Sequence, residues 1–572
     1  MNRLWLRASA LLLCLAQLTL VANIGLAGER AAGDQLFSKD TLVFFTFSNI
    51  PELKAKWEKS SIGQLLHDPQ MQPFLEDVGK KIEENSKELE DEVGVSINDL
   101  LDLPQGEVTF ALVEQPPQKL AGVLLLEYGN KQDTIDKLLK KMDEALDKSQ
   151  AEHSTEEEKD ITFHVYTFKN AGGDNPISTL AYFTTGSCLV LSNEVAALKD
   201  VVERWSGDSD DTLAKNEQYA YIQTQCKPES GEPLVKVFAN PIGLINAGVS
   251  MVQASLPQAG MVVGFLPLLG LDGLKGWGGT VDFDEGEFEG IGSFFMFNDS
   301  SKGLMGMFNF PAAQLTPPKW VPATVGSYVL MNWNAVGAYT SIETLIDSFQ
   351  GRGATARFLD KAASEGPMIH AKKDVIDHLD GKIHVIQSMT KEPEEGAPPI
   401  PDFFVALGLK DAAKMKKTLA AAAKSSGSSM ESREFNGETI YEIHTQNSET
   451  VISVAVSEGQ LVMTNDTTML EDMMRGSKGT PRASLADSPD YKKIAKFFPS
   501  KTSMMTFQRS DVQLKMYYNL LKNADSDQLE GIDPSKLPPF EAIAKYFQPS
   551  GGYTVSDKKG AKSVSYSLKR AD

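Results

Sequence analysis

The residues of this chain that could do chemistry are seven histidines, three cysteines and many carboxylates. His370, His378 and His384 are the closest histidine group, at spacings of eight and six. A zinc set needs ligands on one helix face or flanking a tight turn, and no i, i+4 histidine pair or neighbouring cysteine supplies it. These histidines, like His67, therefore read as solvated or structural. Asp282, Asp284 and Gly286 echo the start of a calcium loop, but the bidentate glutamate that closes such a loop is out of place. A plain turn is the expectation there. Asp208, Asp210 and Asp211 read as a solvated loop, with weak calcium binding as the alternative. Gly273, Gly276, Gly278 and Gly279 are crowded, but they lack phosphate-loop spacing and lead into a strand. No nucleophile elbow, zincin helix or dinucleotide fingerprint occurs. The expectation is a protein without catalytic, cofactor or metal residues, hence not an enzyme.

Cys188 and Cys226 remain once the leader carrying Cys14 is removed. An exported chain can join such a pair as a disulfide, but spacing cannot establish the geometry, so bridge and separate thiols both stay open. The stretch from Val237 to Leu271 is more telling, because its 35 residues hold not one charge. Met251, Val252, Met261, Phe265, Leu266 and Leu269 mark its apolar content. Pro257, Gly260, Gly264, Pro267 and Gly270 interrupt it, and its longest apolar run is too short to span a bilayer. It reads either as buried core or as an apolar surface for a protein partner or a lipid-like ligand.

These residues are positioned by a chain that repeats itself. Leu189-Val190-Leu191-Ser192-Asn193-Glu194 returns as Leu461-Val462-Met463-Thr464-Asn465-Asp466, an offset of 272. Leu198 and Asp200 fall on Leu470 and Asp472 in the same register, Leu213 on Leu485, and Tyr219 with Ile222 on Tyr491 with Ile494. Each segment is a short apolar run followed by polar residues and a helical stripe, which reads as a strand, a cap and a helix. Asn193 and Asn465 are the expected caps. Upstream, Gly106-Glu107-Val108 answers Gly381-Lys382-Ile383 at an offset of 275.

The first residues read as a secretory leader, 1–27. Arg3 and Arg7 precede the apolar run Ala8 to Leu20, and Gly25-Leu26-Ala27 offers a cleavage site. Its loss takes the net charge from −21 to −23. So acidic a chain repels phosphate backbones, which sets nucleic acid aside. The mature chain is expected to lack a membrane span and to be exported, to the periplasm or beyond the cell.

Along the mature chain, Leu42 to Phe47 reads as a strand and Met71 to Val93 as an amphipathic helix. Ser149 to Asp160, Lys391 to Pro401 and Lys424 to Glu434 read as solvated, mobile loops. Each copy ends in a hairpin, turning at Asp284 to Gly286 and at Asp557 to Gly560. The pattern predicts an α+β fold of two homologous lobes, 39–297 and 322–572, joined by a connector, 298–321. Each lobe would be a curved, mostly antiparallel sheet with helices packed on one face.

With Ser61-Ile62-Gly63-Gln64-Leu65-Leu66-His67-Asp68-Pro69-Gln70-Met71-Gln72-Pro73-Phe74 and the Leu189 to Glu194 corner in view, the chain resembles an uncharacterised family. That family is a domain-of-unknown-function group of large exported bacterial proteins, common in planctomycetes. The resemblance covers most of the mature chain and implies export and a bacterial envelope, but no activity. The function expected is that of a non-enzymatic binding or structural protein of the cell envelope, with carriage of an apolar ligand on the 237–271 stretch as the alternative. The partner, protein or apolar ligand, is left unnamed.

Overall fold

The computed structural model describes residues 30–116, 119–169, 178–229, 231–253, 256–366, 368–388, 402–426, 430–444, 451–476, 483–524, 529 and 532–570. The expected leader and the loop 391–401 lie outside the described residues. The chain divides into two compact units. One gathers Met1–Val263, Leu274–Phe297 and Lys522–Ala542, and the other Gly264–Gly273, Asn298–Leu521 and Ile543–Asp572.

The first ten strands are β1 (Thr41–Phe47), β2 (Val108–Gln115), β3 (Lys119–Glu127), β4 (Glu152–Glu158), β5 (Ile161–Thr167), β6 (Thr179–Thr185), β7 (Cys188–Ser192), β8 (Val235–Ala239), β9 (Leu274–Glu285) and β10 (Phe288–Asn298). The next ten are β11 (Ser327–Asn332), β12 (Leu379–Ser388), β13 (Asp402–Leu409), β14 (Met430–Phe435), β15 (Glu438–His444), β16 (Val451–Ser457), β17 (Gln460–Thr464), β18 (Met504–Gln508), β19 (Ser550–Asp557) and β20 (Gly560–Leu568). The main helices are α1 (Gln72–Val93), α2 (Gln132–Lys148), α3 (Val195–Glu203), α4 (Glu217–Cys226), α5 (Pro241–Val252), α6 (Ala259–Leu269), α7 (Ala335–Gln350), α8 (Ala412–Ser426), α9 (Thr467–Arg475) and α10 (Ser510–Lys522).

Hydrogen bonding orders the first ten strands β4-β5-β6-β7-β3-β2-β1-β8-β9-β10, antiparallel from β4 through β9. The next ten run β14-β15-β16-β17-β13-β12-β11-β18-β19-β20, antiparallel throughout. This is the same order moved on by ten strands. All twenty nevertheless belong to one hydrogen-bonded sheet. The expectation of two lobes, each with a sheet of its own, is thereby corrected. The reason is one that local pattern does not carry: a sheet edge exposes unpaired N–H and C=O groups, and one continuous ladder leaves fewer edges than two.

The expectation of helices on one face is corrected as well. Neighbouring residues of β3, β5, β6 and β7 feed two separate cores in the first unit. Leu125, Val165, Phe183 and Val190 pack with Leu198 and Val201 of α3 and with Tyr219 and Ile222 of α4. Leu126, Tyr166, Tyr182 and Leu189 pack with Ile135, Leu138 and Met142 of α2. Successive strand side chains point to opposite faces, so apolar residues at both parities require cover on both sides. The repeated letters fill equivalent core positions: Leu198 and Leu470, Leu213 and Leu485, and Ile222 and Ile494 are all fully buried.

Local readings also change, and Met430 to Glu434, expected within the loop Lys424 to Glu434, belongs to β14. Glu152 to Glu158, expected within a loop, is β4, paired with β5 along its length. Its side chains are exposed on both faces except at Glu158, which is half-buried, so it shows none of the apolar alternation by which strands are read. Asn193 does not cap α3, whose N-cap is Glu194 without a side-chain bond. Instead Asn193 Oδ1 accepts from Gly122 N (2.7 Å) and its Nδ2 donates to Leu120 O (3.0 Å). Asn465 Oδ1 likewise accepts from Phe403 N (2.7 Å). In both places the last paired rung precedes the asparagine, Val123 with Ser192 and Phe404 with Thr464. The side-chain amide stands in for backbone and extends the ladder by one rung while the chain leaves for the helix. The cap of α9 is Asp466, which accepts from Met469 N (3.0 Å).

Candidate functional site

Helix α5 starts where β8 ends. Asn240 N donates to Leu42 O of β1 (2.7 Å), and Asn240 Oδ1 accepts from Gly243 N (2.9 Å), so the cap also ties the helix to the sheet. Pro241 suits the first helical position, where no N–H is needed. Gly243 is required there, because a Cβ at that position would stand 2.6 Å from Leu42 Cδ2. Within α5 only Ala247 is buried. Helix α6 buries only Leu266, at 5 % exposure, and carries Pro267 near its end.

Several large apolar residues of this stretch face solvent. Met251 is 57 % exposed, Met261 58 % and Phe265 47 %; Val252, Leu256, Val262 and Leu268 are exposed too. Leu269 is half-buried. Phe265 lies beside Phe349 of α7, ring centroids 6.3 Å apart, and Phe349 is also exposed. Of the residues singled out in the sequence, Met251, Val252, Met261 and Phe265 are each exposed, whereas Leu266 is buried. The alternative of a buried core is not met by these four. A helix that is apolar all round is ordinarily buried, so the exposed apolar side chains of α5 and of α6 are unusual for a solvated helix. Full burial of such a side chain stabilises by about 1.5–3 kcal/mol, so each half-exposed one leaves roughly 1 kcal/mol for a partner to realise. An internal crevice of about 10 Å³, room for no more than a water molecule, is lined instead by Leu36, Phe37, Val113, Val123 and Val201 among others.

A second polar site was not legible in the sequence. Arg30 Nη2 meets Glu107 Oε2 at 2.9 Å and Glu127 Oε2 at 3.1 Å, with all three side chains about nine-tenths buried. Glu107 Oε1 accepts from Gly33 N (3.0 Å), Thr46 Oγ1 (3.1 Å) and Thr109 Oγ1 (2.6 Å), while Glu107 N donates to Glu127 Oε2 (3.1 Å). Burial penalises the guanidinium, but Glu107 and Glu127 outweigh it and hold its proton more tightly than usual. Cys188 borders this cluster, and burial, partly offset by Arg30, pushes its thiol up to about 11. It is therefore a protonated, unreactive thiol at neutral pH. The cluster ties the first described residues to β2 and β3, a structural task. The only signal for it was a glutamate at each end of the β2–β3 hairpin.

The other singled-out residues do not assemble a catalytic site. Cys188 and Cys226 are not joined; both thiols are buried, one on β7 and one at the end of α4. His384 lies buried in the second unit, its Nδ1 2.9 Å from Tyr328 Oη, with Trp320 against its ring. Burial, helped by Lys382, holds it down to about 4. His370 faces Asp360 (3.3 Å). His67 Nδ1 lies 2.8 Å from Gly63 O. Asp282 is buried on β9, accepting from Leu234 N (3.3 Å), and burial raises its carboxyl. Asp211 pairs with Arg204 (2.9 Å) and Asp210 with Lys215 (4.0 Å). Among the described residues no three histidine, cysteine or carboxylate side chains stand together as a metal set. No described helix is long and apolar enough to cross a membrane.

A family described as "Protein of unknown function (DUF3352)" matches residues 328–541, a stretch from β11 to just before β19. This chain is thus similar, over part of its length, to proteins whose function is not known. The segment Ser61 to Phe74 and the Leu189 to Glu194 corner, on which the resemblance was read, lie outside the matched residues. No curated protein and no solved structure matches the chain.

Proposed function

We propose that this chain is an exported, non-enzymatic binding protein of the bacterial cell envelope, built by internal duplication, which docks a protein partner through the uncharged α5–α6 stretch. The observation that carries the reading is the solvent exposure of Met251, Met261 and Phe265 within 35 uncharged residues. The partner would present an apolar face with a basic rim. Methionine suits such a surface because its flexible thioether adapts to what it meets. The overall charge of −21 and the lack of any cation in the stretch disfavour an anionic bilayer. The leader read in the sequence supports export, and the repeated strand order supports duplication.

The test is photo-crosslinking in intact cells of the native source, with the reactive residue placed at 261 or 265 and, as a control, at exposed Lys137 on α2. A discrete protein adduct at 261 and 265 alone is expected. The purified adduct partner should bind the wild-type chain and lose affinity for Met261→Ser/Phe265→Ser. Binding to neutral phospholipid vesicles without a protein adduct would replace this reading with the lipid-carrier one. Turnover of a substrate panel, abolished by point changes at one cluster, would end it altogether.

A further inference from the structure

The β4–β5 hairpin gathers chemistry that sequence spacing hides. Its register sets His153 opposite Tyr166 and Thr155 opposite His164. Both histidines therefore lie on one face of the sheet as diagonal neighbours, close enough for side chains to meet. His153 Nε2 and His164 Nδ1 are 3.4 Å apart. That is long for an N–H···N hydrogen bond. It is close to the ~3.3 Å that separates two nitrogens bound to one tetrahedral ion at 2.0–2.1 Å each. Tyrosine rings fix both imidazoles in place. His153 stacks on Tyr166 (4.5 Å, 5°) and His164 on Tyr182 (4.7 Å, 7°).

On the same face helix α2 packs against Tyr166 and Tyr182. From it Asp143 acts electrostatically on His164 and Tyr182. Asp143 Oδ1 is shielded from water and has no hydrogen-bond partner, and the hydroxyl of fully buried Tyr166 is unpartnered as well. A buried polar atom left unpaired costs stability, and a cation beside the carboxylate would remove that cost. The matching rungs of β14–β15, Ser432 opposite Tyr441 and Glu434 opposite Thr439, carry no histidine.

We infer that His153 and His164 form a two-nitrogen seat for a borderline divalent transition ion of the zinc class, with water completing the shell and the Asp143 carboxylate on α2 adding negative charge nearby. The three groups do not stand together at ligand distance among the described residues, so the two imidazoles are the ligands. The imidazoles bind through neutral ring nitrogens, Nε2 of His153 and Nδ1 of His164.

The probe is Zn²⁺ alone, titrated calorimetrically into the chelator-stripped mature chain, with Co²⁺ absorption reporting the ligand field. One equivalent is expected to bind and to raise the unfolding temperature of the first unit. His153→Gln and His164→Gln should each weaken it by at least about tenfold, and Asp143→Asn by less. His444→Gln, at an exposed histidine of the second unit, should change nothing. Each variant is first shown to melt like the stripped wild type, which separates lost binding from lost folding. No stoichiometric Zn²⁺ binding, or binding that His153→Gln/His164→Gln leaves intact, overturns the inference.

Discussion

Replacing Arg30 with methionine isolates a buried charge interaction of the first unit. The stem volume is retained, but the guanidinium that sits 2.9 and 3.1 Å from Glu107 and Glu127 is gone. Two like-charged carboxylates are then left facing each other, about nine-tenths buried, and Glu107 keeps its donors from Gly33, Thr46 and Thr109. Removing one partner of a buried ion pair costs about 3–5 kcal/mol. The retained donors place this case at the lower end, about 3 kcal/mol. At roughly 1.4 kcal/mol per factor of ten, that is an opening equilibrium about 150-fold larger. A single global unfolding energy is poorly defined for a chain of two compact units. The assay is therefore hydrogen exchange followed by mass spectrometry of β2 and β3 peptides. Protection there should fall by that factor at neutral pH, while β11 and β12 peptides stay unchanged. Arg30→Met with Glu107→Gln should regain part of the loss, because one buried negative charge is removed with the positive one. Exchange in β2 and β3 that changes less than about fivefold would refute the claim that this ion pair secures the N-terminal segment.

Three further expectations follow from the geometry. His384 is held down to about 4, against an ordinary value near 6.5. The unfolded chain thus binds a proton below about 6.5 that the folded chain refuses until about 4. Stability of the second unit should be full above that window and fall by about 3 kcal/mol as pH drops through it. The fall should be absent in His384→Gln, read from exchange of β11 and β12 at pH 7 and pH 4. Asn193→Ala removes two hydrogen bonds at the end of the β3–β7 ladder and Asn465→Ala at least one at the β13–β17 ladder. Each should destabilise its own unit by about 1–2 kcal/mol, whereas a capping loss would fray only α3 or α9; exchange of Gly122 and Phe403 amides distinguishes the two. Phe265→Ser should leave folding intact and weaken partner binding about fivefold, the equivalent of 1 kcal/mol from its exposed half, measured by calorimetry with the purified partner.

The strand–corner–helix unit could be read from the sequence because its signals are local. An apolar run, polar corner residues and a helical stripe lie within about fifteen residues at Leu189 and again at Leu461. What the corner asparagine bonds to was not local: its partner strand is 71 residues away for Asn193 and 62 for Asn465. The same distance problem hid the Arg30 cluster, whose bond to Glu127 spans 97 positions. The repeat could not reveal it either, since Lys382 stands where Glu107 does. Strand β4 escaped because a strand solvated on both faces has no hydrophobic period, and with it went the register that joins His153 to His164. The apolar stretch was found by its missing charges, but apolarity alone does not say which side chains meet water. Phe265 and Leu266 are adjacent, yet one is exposed and the other anchors α6. Repetition disclosed two related sets of strands, but whether a terminal strand accepts another is decided by backbone groups that no side-chain pattern records.

Strand β4 has a further consequence. Among the described residues it pairs with β5 alone, which makes it an edge strand. Four glutamates, Glu152, Glu156, Glu157 and Glu158, lie along it. Lys199 pairs with Glu156 (2.7 Å) and Glu158 (3.7 Å), and the negative charge left along the strand disfavours its pairing with the same strand of a second copy. Exchanging Glu152 and Glu157 for threonine should therefore let a concentrated preparation polymerise from this side, whereas the wild type stays dispersed.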